Sequence, residues 1–328
     1  MLRNFLPLVL LLSSGCAHGA MANQEAAPSP ATTQTAASPY LPLSELRAKY
    51  EDSESRYVTV GGLKLHYKDE GKGPVILMLH GSQSSLRTYD RITQLMKSDY
   101  RIIRLDLPGY GLSDAVTEES VANNQPVEMV EGVIDHLGLT KLTAVGVSSG
   151  GTMSAFLAAK RPELVERLVL SNMPSDPYNT AHLVMPQSFL DAQKRFAETK
   201  VYDRNFWYEY LRYFAGDPAR MTDKKIDEYT DFGRRAPDPH LLGLVARVGD
   251  GVAAQAKFGT ITVPTLLIWG SADPLLPESA SAALVGHLKS TPASRMLLSD
   301  VGHYPPLEAP DRFASILRIY IEAAAPAR

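Results

Sequence analysis

The chain has 328 residues, 45% hydrophobic and 21% charged, with a formal net charge of −3. That is enough for one large α/β domain with an inserted subdomain, and the slightly acidic balance excludes a broad basic face for nucleic acid. No pair of histidines has the spacing of a metal site such as H-E-x-x-H, so neither a metal nor a cofactor is expected.

Residues 1–20 read as a targeting segment. Arg3 gives a short positive start, Phe5 to Leu12 is an apolar stretch too brief to span a bilayer, and Ser13-Ser14-Gly15-Cys16 offers small residues before a cysteine. The pattern resembles a bacterial lipoprotein signal, with Ser13 standing where leucine is usual. Ordinary cleavage near Ala20 or Ala22 is the alternative. Cys16 is the chain's one cysteine, which excludes an internal disulfide and suits lipidation. Residues 17–42, rich in Ala, Pro, Thr, Ser and Gln, bury too little apolar surface to order and read as a flexible tether. The expected location is the periplasmic side of a bacterial envelope, as an outer-membrane lipoprotein touching the membrane only through Cys16; a soluble periplasmic or secreted form is the alternative.

The globular part then alternates. Tyr57 to Val60 and Leu63 to Lys68, around Gly61-Gly62, predict an antiparallel hairpin, and apolar runs at 75–79, 101–105, 142–147, 165–170 and 265–269 predict strands buried on both faces. Between them lie helical patterns, such as Pro126 to Leu137, which stops at Gly138. The fold class expected is α/β, a mostly parallel doubly wound sheet of about eight strands whose carboxyl ends meet the ligand. Its core takes 50–174 and 259–324. Residues 175–258, rich in aromatics from Phe189 to Phe214, read as a helical lid over a mostly apolar pocket. The mixed charge run Asp223 to Glu228 reads as solvated helix surface.

The chemistry centres on Gly146-Val147-Ser148-Ser149-Gly150, where an apolar strand breaks into a turn that opens a helix. Alone, three fixed positions recur by chance in about one chain of this length in ten. Their company decides the matter. Val75 to Leu79 runs into His80-Gly81-Ser82, Arg101 to Leu105 runs into Asp106-Leu107-Pro108-Gly109-Tyr110-Gly111, Asp273 follows the run Thr265 to Trp269, and His303 sits in Asp300-Val301-Gly302-His303. From about Tyr57 to about Ile321 the sequence resembles the α/β-hydrolase family. The resemblance implies a triad of Ser148 as nucleophile, His303 as base and Asp273 as its orienting acid, with the N–H groups of Ser82 and Ser149 as oxyanion hole. A residue between Asn172 and Asp176 is the alternative acid, because some members carry it after the preceding strand. His80 and Asp106 read as structural, and His66, His136, His182, His240 and His287 as surface or packing residues.

The expected activity is hydrolysis of carboxylic esters or lactones with an apolar or aromatic moiety, through an acyl-enzyme. Arg234, Arg235 and Arg247 could hold a substrate carboxylate, but solvated roles are the expectation. Dehalogenases and epoxide hydrolases of this fold use aspartate at the elbow, which Ser148 excludes. Hydrolases of carbon–carbon bonds in ring-cleavage products share the triad and remain the alternative, although Ser82-Gln83-Ser84-Ser85 departs from their glycine-rich loop. A non-catalytic ligand-binding surface lipoprotein is the reading from another class.

Overall fold

A computed structural model describes residues 38–123, 125–176, 180–241 and 251–323. The expected signal segment, Cys16, most of the tether and Arg247 lie outside them. In chain order the elements are α1 (Leu43–Tyr50), β1 (Ser55–Val60), β2 (Leu63–Glu70), β3 (Val75–Leu79), α2 (Asp90–Met96), β4 (Arg101–Leu105), α3 (Glu118–Asn123), α4 (Pro126–His136), β5 (Leu142–Val147), α5 (Ser149–Lys160) and β6 (Val165–Ser171). After β6 come α6 (Gln187–Thr199), α7 (Arg204–Phe214), α8 (Asp223–Gly233) and α9 (Gly251–Phe258). The chain closes with β7 (Thr265–Gly270), α10 (Glu278–His287), β8 (Ala293–Leu298), α11 (Pro305–Glu308) and α12 (Pro310–Glu322).

The strands form one sheet of eight in the order β1-β2-β4-β3-β5-β6-β7-β8. The β1–β2 hairpin and the β2–β4 pair are antiparallel, and every other pair is parallel. The period-two alternation of a strand explains how the apolar runs cover two faces. Ile76 and Met78 of β3 join Val145 and Val147 of β5 beneath Ile92 and Met96 of α2 and Phe313 and Leu317 of α12. Leu77 and Leu79 join Leu142 and Ala144 on the opposite face, under Met129 and Val133 of α4 and Leu157 of α5. A fully buried side chain of this size contributes about 1.5–3 kcal/mol, so each layer is held mainly by its helices lying on these rows. The insertion between β6 and β7 has an apolar centre of its own, in which Phe189, Phe206, Trp207, Leu211, Phe214 and Tyr229 pack with Tyr304 and Leu307 of the core.

The charge run of α8 departs from the solvated surface expected of it. Asp223 and Asp227 do pair with Arg204 at the surface, but Glu228 pairs with Arg87 at 2.7 Å and Lys225 donates to the Leu307 carbonyl at 2.6 Å, both across the contact with the core. His66 departs likewise from simple packing. It is buried, with Nδ1 2.7 Å from Asp106 Oδ2.

Asp106 is the tie that holds the loops after β3 and β4. Its carboxylate accepts the Leu86 N–H at 2.7 Å and the Leu112 N–H at 2.8 Å as well as the His66 bond. Burial pushes this carboxyl up, but the His66 bond and the neighbouring ring charges outweigh it and hold the group below the usual carboxylate range. A depressed folded pKa means that the stabilisation is present above the ordinary carboxylate range and is lost as the pH falls through the folded value. Asp106→Ala should therefore cost about 3–5 kcal/mol at neutral pH by urea denaturation, because it strands buried donors. The gap between wild type and variant should narrow below about pH 4. Equal midpoints at neutral pH would contradict this role.

Candidate active site

The turn from β5 into α5 places Ser148 at φ 52° and ψ −127°, with φ in the left-handed region that a non-glycine residue adopts only under constraint. Two glycines supply the constraint. A Cβ on Gly146 would lie 2.2 Å from the Gly150 carbonyl oxygen, and one on Gly150 would lie 2.2 Å from the Leu79 oxygen. Strand, turn and helix thus meet backbone against backbone, and the serine side chain is turned away from that contact. Ser148 is half-buried, and its N–H donates to the Ser171 carbonyl at 2.9 Å, which ties the turn to the end of β6.

From Ser171 a short polar path crosses the carboxyl ends of the strands. Asn172, buried and at φ 37°, donates through Nδ2 to Asp273 Oδ2 at 2.8 Å and to the Gly270 carbonyl at 3.1 Å, and accepts the Gly270 N–H at 2.9 Å. Asp273 also accepts the Leu275 N–H at 2.8 Å and lies 2.7 Å from His303 Nδ1. Because a carboxylate accepts, the contact orients the ring with Nδ1 toward Asp273 and Nε2 directed away from it. Both side chains of this pair are almost wholly buried. Ser148 Oγ has no hydrogen-bond partner among the described residues.

Ser82 and Ser149 meet beside the turn, their hydroxyl oxygens 3.0 Å apart. Their N–H groups donate to no acceptor among the described residues, and that of Ser149 opens the N-terminus of α5, where the helix dipole favours negative charge. His80 is occupied structurally: Nε2 accepts the Leu107 N–H at 3.0 Å. Asp176, weighed as an alternative acid, lies with Gln255 and 3.1 Å from His287, and Asn172 cannot ionise, so Asp273 alone of these carboxylates meets His303.

Phenol groups gather where this site meets the insertion. Tyr110 lies beside Ser82 and the Gln83 N–H, and burial pushes its phenol up to about 12. Tyr210 of α7 and Tyr304 interact with each other and feel the Asp273 charge; burial raises both above the ordinary phenol value. Tyr110 and Tyr210 nevertheless keep some accessible surface. Three partly buried cations are engaged with protein acceptors: Arg87 with Glu228 at 2.7 Å, Lys225 with the Leu307 carbonyl at 2.6 Å, and Arg235 with the Gly111 carbonyl at 2.7 Å. Arg234 donates to the Pro39 carbonyl.

A family model described as alpha/beta hydrolase fold matches residues 74–310. The chain belongs to this family. It is a hydrolase, as its named relatives are. It is 26% identical to a 2-hydroxy-6-oxononadienedioate/2-hydroxy-6-oxononatrienedioate hydrolase of Paraburkholderia xenovorans, over 82% of this chain and 96% of that one. It is 27% identical to haloalkane dehalogenase 2 of Mycobacterium bovis, over 80% of this chain and 93% of that one. Among solved structures, an enol-lactonase from Burkholderia xenovorans superposes with a TM-score of 0.64 at 19% identity, covering 82% of this chain and 100% of that one, a likeness of fold alone.

Two residues in the hydrogen-bonded path were not read as partners from the sequence. The sequence offers Asn172 only as a site for an alternative acid and gives no role to Glu308, whose carboxylate accepts the Gly302 N–H at 3.0 Å. Replacing Asn172 by aspartate would set a carboxylate against Asp273 in place of a donor. Asn172→Asp should lower stability by about 2–4 kcal/mol at neutral pH, with the deficit shrinking toward acid as one of the two carboxyls takes a proton and donates to the other. Thermal melts across about pH 5 to 8 measure this. A deficit independent of pH would contradict the contact.

Proposed function

We propose that the protein hydrolyses uncharged carboxylic esters or lactones through an acyl-enzyme on Ser148. His303 Nε2 takes the Ser148 proton as Oγ attacks the carbonyl carbon, and Asp273 holds the ring and stabilises the imidazolium. The carbonyl oxygen becomes an oxyanion facing the Ser82 and Ser149 N–H groups; loss of one such donor typically costs about 10² to 10³ in rate. Collapse expels the alkoxide, which takes the proton from the imidazolium. Water, deprotonated by the same ring, then releases the acid. An ester yields acid and alcohol, and a lactone a hydroxy acid.

The observation that carries this reading is the buried His303–Asp273 pair across the strand ends from a serine held in a left-handed turn. The phenols gathered beside Ser82 and Asp273, together with partly buried cations that are engaged with protein acceptors, support an uncharged substrate over a dicarboxylate. The relatives named as dienedioate hydrolases favour a second reading, cleavage of a carbon–carbon bond in a ring-cleavage product by the same three residues. The insertion serves as a lid in either case. The sequence of residues 1–20 supports export with a lipid on Cys16, which would keep the enzyme at a membrane surface with its site in water.

A fluorophosphonate should label the wild type at Ser148 and leave Ser148→Ala unlabelled, and Ser148→Ala and His303→Ala should each lower ester turnover by about 10⁴-fold or more. A panel of aryl esters, alkyl esters, lactones and ring-cleavage dienedioates distinguishes the two readings. Turnover of the dienedioates above the neutral esters would overturn the first in favour of the second. A folded wild type that takes no label would overturn both.

A further inference from the structure

We propose that Glu308 is a positioning residue for His303, which it fixes by fastening the loop that carries the base to the helical insertion. The inference rests on the reading of His303 as general base. Glu308 closes the short helix α11, and its side chain is wholly buried. Its carboxylate accepts the Gly302 N–H at 3.0 Å and the Tyr304 N–H at 3.3 Å, the two peptide groups that flank His303. It also accepts the Gly216 N–H at 2.8 Å, from the segment just beyond α7. The N–H of His303 itself donates to the Phe214 carbonyl at 2.8 Å, at the end of α7. All three N–H groups of residues 302–304 are therefore held, two by one carboxylate and one by the insertion. What freedom remains to the base lies in its side chain, whose Nδ1 is held by Asp273.

The insertion grips the same segment by packing as well. A Cβ on Gly302 would lie 2.2 Å from the Phe214 oxygen, and one on Gly216 would lie 2.6 Å from the Asp300 oxygen, so the two chains meet backbone to backbone. Arg220 donates to the Asp300 carbonyl at 2.6 Å, and Lys225 to the Leu307 carbonyl at 2.6 Å. A carboxylate buried this deeply is tolerated because several N–H groups converge on it and the Arg220 guanidinium lies 3.9 Å away. The end of α7 is thus a mount for the base, and an opening motion of the lid that moved it would carry His303 along.

The test compares wild type, Glu308→Gln and Gly216→Ala in steady-state ester hydrolysis, with the rate of fluorophosphonate labelling and its final extent measured on the same samples. The amide of Glu308→Gln keeps the shape but turns an N–H donor toward N–H donors, and Gly216→Ala disturbs the same contact from the insertion while leaving the carboxylate in place. Each should lower kcat by about 10- to 100-fold with KM changed far less, as a base misplaced by a fraction of an ångström does. Each should also slow labelling in parallel and move the pH of half-maximal kcat/KM by about half a unit or more. The double variant should be little worse than the poorer single one, because both break one contact. If Glu308→Gln does not fold, Gly216→Ala carries the same reading. Variants that lose labelled fraction but keep the wild-type kcat and pH profile per labelled site would overturn the inference while sparing the base assignment. An unlabelled wild type would overturn both.

Discussion

The crossing of backbone at the end of β5 is the constraint on which the site depends. Gly146, Gly150 and the carbonyl of Leu79 approach so closely that no side chain fits between them, and the chain escapes by taking Ser148 into the left-handed region. A non-glycine residue held in such a sparsely populated region costs on the order of 1–3 kcal/mol, and the close-packed rows of β3 and β5 beneath α2, α4, α5 and α12 keep it there. Because β5 lies between β3 and β6, the same crossing brings Ser82 to one side of the serine and Ser171 to the other. The geometry of Ser148, the proposed nucleophile, is thus a property of the sheet.

The proposed base is held differently. His303 follows β8 at the edge of the sheet and rests less on strand packing than on polar groups that converge on two buried carboxylates. Asp273 gathers Asn172, Leu275 and the imidazole; Glu308 gathers the main chain on both sides of His303 and reaches into the insertion. In a low-dielectric surround such charge-assisted bonds are directional and strong, and leaving one unmade is expensive. Ser148 and His303 therefore have separate supports, one in close-packed backbone and one in a hydrogen-bonded network.

Much of this was legible in the sequence because burial on both sides leaves an apolar run. Strands β3, β4, β5 and β7 announce themselves so, and Gly138, at φ 61°, ends α4 where the pattern stops. Strand β8 left no such trace: it is an edge strand, with Ser294, Arg295 and Met296 exposed, and its residues alternate with no apolar face to read. Helix α1 begins directly after the Ala/Pro-rich segment and buries only Leu46, so its residues resemble the tether's end more than the core's beginning. The order in which β4 and β3 exchange places is set by tertiary packing, which no local pattern records. Within the site, residue types next to strand ends pointed to Ser148, Asp273 and His303. Asn172 and Glu308 act on atoms about a hundred residues and six residues away respectively, through buried amide and carboxylate groups whose partners are main-chain N–H or another side chain, and nothing in their own neighbourhoods marks them.

The central claim is that the Ser148 hydroxyl becomes covalently bonded to the substrate's acyl group. Rapid mixing of enzyme with an excess of an aryl ester, acid quenching within the first turnover, and peptide mass analysis test it most directly. The account predicts a burst of aryl alcohol approaching one equivalent per enzyme and the acyl mass on the peptide that contains Ser148, with neither in Ser148→Ala. Steady turnover by the wild type with the acyl group on a different residue, or a burst that survives in Ser148→Ala, would contradict it.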